Sequence, residues 1–147
     1  MTNQDLMKAV YDYCRKSGDY SHILFQVPFI SGKIDMLLMD NSRGLHAVSF
    51  ASTNWRTAVR NAREASLGVE KSYVCIPEPL WKKMSTTVSF EQQGLGLFLV
   101  SPTTFTAKVQ VSAGQSPTPL VSYRASVLRG VAERLSAATQ EPSSTCR

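Results

Sequence analysis

A chain of 147 residues, 43% hydrophobic and 18% charged, can bury one domain-sized core and lacks the composition of a disordered segment. A net charge of +5 and a pI near 9.3 admit nucleic acid or another acidic partner without requiring one. Three widely spaced cysteines, Cys14, Cys75 and Cys146, with no C-x-x-C pair, argue against a disulfide framework or structural zinc, and no leader-like or membrane-length apolar run stands out. The expectation is a soluble, cytoplasmic protein with reduced thiols and no membrane partner.

The first predicted element is a helix over 2–17, along which Leu6, Ala9, Val10, Tyr13 and Cys14 recur at three- and four-residue steps. Thr2 or Asn3 can cap its start, and Gly18 supplies a left-handed end. A strand follows over 22–29. Pro28 inside it cannot donate to a ladder, which marks an edge position or a bend. Ser31-Gly32 is a turn, 33–40 a second strand, Asp40-Asn41-Ser42-Arg43-Gly44 the next turn, and 45–51 a third strand. Connections this short make the three strands an antiparallel meander.

The period then changes. Trp55, Ala58, Val59, Ala62 and Ser66 fall on one helical face, so a helix capped by Thr53 or Asn54 runs to about residue 67 and stops at Gly68. A buried strand over 72–76 comes next, and a right-handed crossover would pair it in parallel with the third. Pro77-Glu78-Pro79 ends it, with a brief helix over 80–86 behind. Glycines lead a fifth strand over 94–100, and alternation of Phe105, Ala107, Val109 and Val111 gives a more exposed sixth over 104–111. After a Gly/Pro/Ser-rich loop over 112–119, a last helix over 120–138 carries Val127, Leu128, Val131 and Leu135, interrupted by Gly130. The order is α-β-β-β-α-β with additional C-terminal strands and a helix. It specifies an α/β fold with a central mixed β-sheet flanked by helices, one domain over 1–140 and a frayed tail over 141–147.

Strand alternation puts Lys33 and Asp35 on one face of the second strand with Leu37, and Leu45, Ala47, Ser49 and Ala51 on one face of the third. An aspartate on one strand, followed by another short strand and a capped helix, is where a metal-dependent phosphodiesterase would assemble its site. That chemistry needs two acids for Mg²⁺ and a lysine for the developing phosphate charge.

Ile34-Asp35, then Ala47 to Ala51, then Asn54-Trp55-Arg56-Thr57-Ala58-Val59-Arg60-Asn61-Ala62, then Tyr73-Val74-Cys75-Ile76-Pro77 resemble the PD-(D/E)XK, or restriction-endonuclease-like, superfamily over roughly residues 3–101. Its pattern is an aspartate, an acid-x-lysine on the next strand, a helix with Trp and often Q-A, and a strand ending in proline. The resemblance implies that Asp35 matches the metal-binding aspartate, Ser49 replaces the second acid, Ala51 replaces the lysine, and Asn61 stands for the helix glutamine. One carboxylate is a poor Mg²⁺ site, so the expectation is a vestigial site with no catalytic residues, no metal and no cofactor.

Two residues could rescue the chemistry by migration: Lys33 as the cation and Glu64 as the acid, with Mg²⁺ as cofactor. Glu64 falls on the side of its helix away from Trp55 and is expected to face solvent. Arg56, Arg60 and Arg63 form a basic stripe that, with Lys33, could track phosphates; its simpler reading is a solvated face. Ser49, Ser52 and Thr53 at a helix start could hold an anion or serve as caps. His22 and His46 lack evident metal partners, and Trp55 and Trp81 read as core and lid. Three functions follow: a non-catalytic nucleic-acid-binding domain, a nuclease with relocated residues, or a module for homo-oligomers or protein partners.

Overall fold

This computed structural model describes residues 1–30, 32–116 and 119–140. The expected turn residue Ser31, positions 117 and 118 of the loop, and the tail over 141–147 with Cys146 lie outside the described residues. Six strands form one sheet in sequence order: β1 (Tyr20–Phe29), β2 (Gly32–Asp40), β3 (Leu45–Phe50), β4 (Lys71–Pro77), β5 (Gly96–Val100) and β6 (Ala107–Val111). β1, β2 and β3 pair antiparallel, β3 with β4 and β4 with β5 pair parallel, and β6 returns antiparallel. The α/β class, the opening meander and the parallel crossover are therefore as the turn spacing and period changes specify. Pro28 lies on β1, at an edge of the sheet.

Three layers result. Among the described residues, α1 (Asn3–Ser17) is the one helix on one face, where Leu6, Val10 and Cys14 meet Met36, Leu38, Val48, Cys75 and Phe98. Its start is a capping box, with Thr2 and Asp5 satisfying each other's backbone N–H, and Gly18 ends it at φ 71°. The other face carries α2 (Trp55–Ala65) and α5 (Val121–Gln140), with the short helices α3 (Trp81–Met84) and α4 (Phe90–Gln93). α2 buries Trp55, Ala58, Val59 and Ala62 against Val74, Ile76, Leu97 and Leu99. Asn54 caps it through Thr57 N–H. Each large apolar side chain fully buried this way contributes about 1.5–3 kcal/mol.

Four local expectations are corrected. α4 was not legible, because four residues are too few to show a period; Gly94, read as leading the fifth strand, ends α4 at φ 71°. The sixth strand begins at Ala107 rather than 104, after a bend in which Phe105 adopts φ 55°. α2 ends at Ala65, followed by turn bonds from Leu67 and Gly68 N–H to the carbonyls of Glu64 and Ala65. Finally, alternation fails at one point. Val27 and Ile34 pack with Leu37 against α5, although Phe25 lies against Tyr11 of α1 and Met36 faces α1. The left-handed φ of 52° at Gln26 sits at this crossing of faces.

α5 is fastened to the rest of the chain by two guanidinium groups. Arg134 donates twice to the Gln26 carbonyl, at 2.9 and 2.7 Å, and Arg124 joins the Gly68 carbonyl and Glu70. Glu70 also accepts from Leu45 N–H at 2.7 Å, so one carboxylate links α5, the start of β3 and the loop before β4.

At the far end of the β2–β3 hairpin, Asp40 accepts from the N–H groups of Ser42 and Gly44. It also meets His46 Nε2 at 3.1 Å, while Tyr20 Oη lies 3.3 Å from His46 Nδ1. Burial lowers the His46 pKa more than Asp40 raises it, with Lys71 adding to the depression. Burial pushes Asp40 up, but the Gly44 and Ser42 N–H groups and His46 hold it below the usual carboxylate range. The unfolded chain therefore takes up the histidine proton first. Stability from this buried neutral ring is complete above the ordinary histidine pKa of about 6.5 and lost as pH falls through and below it. Urea midpoints measured between neutral pH and pH 5 should decline, and His46→Phe should flatten that decline whatever its own cost. An unchanged slope in the variant would assign the pH dependence elsewhere.

Candidate functional site

β2 and β3 stay paired only as far as Met36 and Val48. Beyond that point Asp35 inserts its side chain where the ladder ends, and its Oδ2 accepts from Phe50 N–H at 3.1 Å. Burial raises the Asp35 pKa above the ordinary carboxylate value, and the Phe50 hydrogen bond only partly offsets this. Beside this opening lies a polar cleft of about 160 Å³, lined by Phe29, Lys33, Ile34, Ser49, Asn61, Glu64 and Ala65. Four residues singled out from the sequence thus share one cleft: Lys33, Ser49, Asn61 and Glu64.

Glu64 corrects the expectation of a solvent-facing acid. It is half-buried in the cleft wall, because the β1–β2 end with Phe29, Lys33 and Ile34 covers the side of α2 away from Trp55. Ser49 is 4% exposed and its hydroxyl makes no hydrogen bond among the described residues. No described buried side-chain polar atom lacks a partner, so this hydroxyl opens on the cleft rather than being sealed. Asp35 does not belong to the cleft lining, although its neighbours Lys33 and Ile34 do. Ala51, 6% exposed, is packed with Trp55, Ala58 and Val59, and its N–H donates to the Cys75 carbonyl.

The stripe on α2 divides. Arg56 lies over the Trp55 ring at 4.3 Å from its centroid, and Arg63 bonds the Gln93 side chain on α4. Arg60 is exposed and makes no ion pair or hydrogen bond among the described residues. One turn separates Arg56 from Arg60 and Arg60 from Glu64, so the exposed cations lead along α2 to the cleft. Trp55 is 8% exposed and Trp81 packs on Phe90, so the two tryptophans serve the core. Ser52 N–H bonds Asn3 Oδ1, which ties the loop after β3 to α1.

Magnesium usually keeps several waters and takes two carboxylates, or one with a substrate phosphate. Here Glu64 lines the cleft, Asp35 is held by Phe50 outside the lining, and Ser49 between them is neutral. Without a substrate phosphate, this donor set does not fit the ion. Among the described residues, no helix is long and apolar enough to cross a membrane.

No protein-family model matches the chain, and no curated protein matches it. Among solved structures, a protein of unknown function from Silicibacter pomeroyi aligns over 97% of this chain and 94% of its own. The TM-score is 0.67 and the identity 11%, a likeness of fold alone.

Proposed function

We propose that this domain is a non-hydrolysing shell of restriction-endonuclease type that holds nucleic acid through its backbone phosphates. The observation that carries the reading is the chemistry left at the three positions hydrolysis needs. Asp35 is the one carboxylate among them and gives one oxygen to Phe50 N–H, Ser49 is neutral, and Ala51 is packed with Trp55. The succession of an antiparallel meander, a capped helix and a parallel strand ending at Pro77 supports the family resemblance. Support for the partner comes from Arg56 and Arg60, exposed one turn apart, with Lys33 and Arg63 flanking them.

A second reading, a metal-dependent nuclease with relocated residues, is favoured by one observation. Lys33 and Glu64, the two side chains that would take over, line the same cleft. Labelled DNA and RNA, duplex and single-stranded, distinguish the readings when binding is followed across a salt series in EDTA and cleavage in Mg²⁺ or Mn²⁺. Binding without metal is expected, weakening steeply with salt. Removing Arg56 and Arg60 together should reduce the log–log salt slope by roughly 2. Cleavage abolished by Asp35→Ala or Glu64→Gln would establish the nuclease instead. Absence of any retardation at low salt, with a dimer in light scattering, would leave a protein-interaction module.

A further inference from the structure

We propose that the cleft between β2, β3 and α2 is a binding site for a small free α-amino acid, with Glu64 receiving its ammonium group and Lys33 its carboxylate. This goes beyond the nucleic-acid reading, which uses Lys33 at the cleft's edge and gives Ser49, Asn61 and Glu64 no task. Lys33 and Glu64 carry opposite charges on the lining of one cleft, yet neither makes an ion pair or hydrogen bond among the described residues, with each other or with any neighbour. Ser49 adds an unpartnered hydroxyl at the buried end, and Asn61 an amide one turn before Glu64 on the helix. A simple anion would satisfy Lys33 and leave the carboxylate facing it; a simple cation would do the reverse. A molecule with both charges on neighbouring carbons meets both at once, its carboxylate also accepting from the Ser49 hydroxyl or the Asn61 amide.

Size narrows the class. About 160 Å³ is the room of roughly five waters in the liquid, well below the usual range for drug-sized ligands. Phe29, Ile34 and Ala65 supply the apolar wall, which suits a hydrogen or a methyl group as the ligand's side chain. Glycine and alanine are therefore the probes.

The test is a titration of the ¹⁵N-labelled full chain with glycine, alanine, acetate and methylammonium, each alone and without nucleic acid. Saturable shifts of the amide resonances around Lys33, Ser49, Asn61 and Glu64 are expected with glycine or alanine. Acetate and methylammonium, each lacking one charge-assisted contact, should bind about tenfold more weakly. Glu64→Gln and Lys33→Met should each weaken glycine binding about tenfold or more while the remaining resonances stay in place, which separates loss of the site from loss of the fold. Absence of saturable shifts with either amino acid overturns the proposal. So does acetate binding as tightly as glycine, which would make this an anion site. So does Mn²⁺ broadening the same resonances while glycine leaves them unmoved, which would make it a cation site. Failure to bind nucleic acid leaves this result untouched.

Discussion

Gly130→Ala is expected to destabilise the fold by about 2–3 kcal/mol, although glycine inside a helix is ordinarily the poorer residue by about 1 kcal/mol. The sign reverses because of what α5 rests on. A Cβ built at Gly130 would lie 2.2 Å from the Pro28 carbonyl oxygen and 2.9 Å from Val27 Cγ1. The first of these atoms is backbone and cannot swing aside. α5 would have to lift from β1, and the Arg134 bonds to the Gln26 carbonyl and the burial of Val127 and Val131 would be disturbed with it. Urea unfolding should show a lower midpoint, with Gly130→Ser at least as damaging. If Gly130→Ala instead raises the midpoint as an exposed helical glycine would, the close approach of α5 to Pro28 is wrong.

The same contact shows where sequence reasoning reaches its limit. Gly130 was legible as a fault in a helical pattern, and Pro28 as a fault in a strand, but their meeting spans about a hundred residues and leaves no local trace. The sheet order was legible because each turn and change of period is local. The cleft was half legible. Asp35, Ser49, Ala51 and Asn61 were found by order along the chain, and Lys33 and Glu64 as candidates for migration. Glu64 was misplaced because a helical wheel measured from Trp55 records only the face toward β4 and β5, while the β1–β2 end encloses the opposite side. Strict alternation puts Asp35 on one face with Lys33 and Leu37. That rule fails here because the crossing of faces at Gln26 on β1 is matched on β2, where Ile34 packs toward α5 although Met36 faces α1. The Tyr20–His46–Asp40 network was invisible for the same reason as Gly130: Tyr20 and His46 are partners only once β1, β2 and β3 are assembled.

Ala51→Lys, which would restore the residue type that the family resemblance places there, is expected to cost on the order of 3–5 kcal/mol. The position lies in an apolar cluster with Trp55, Ala58, Val59 and Ile76. Two effects add, one of volume and one of charge. Ala51→Met, similar in length and uncharged, isolates the first and should cost about 1–3 kcal/mol, the usual range for overpacking. The difference between the two variants measures the burial of charge, and it should shrink at high pH as the lysine gives up its proton. Ser49→Glu, two residues away on the same strand, should be better tolerated, since its side chain opens on the cleft that Lys33 also lines. A scaffold that had merely lost its catalytic groups would accept both substitutions equally well. One that has repacked around Ala51 while keeping the cleft at Ser49 open would accept only the second. Denaturation midpoints of the three variants decide between these histories, and a stable, well-folded Ala51→Lys protein would mean that Trp55 leaves room for a lysine to reach the cleft.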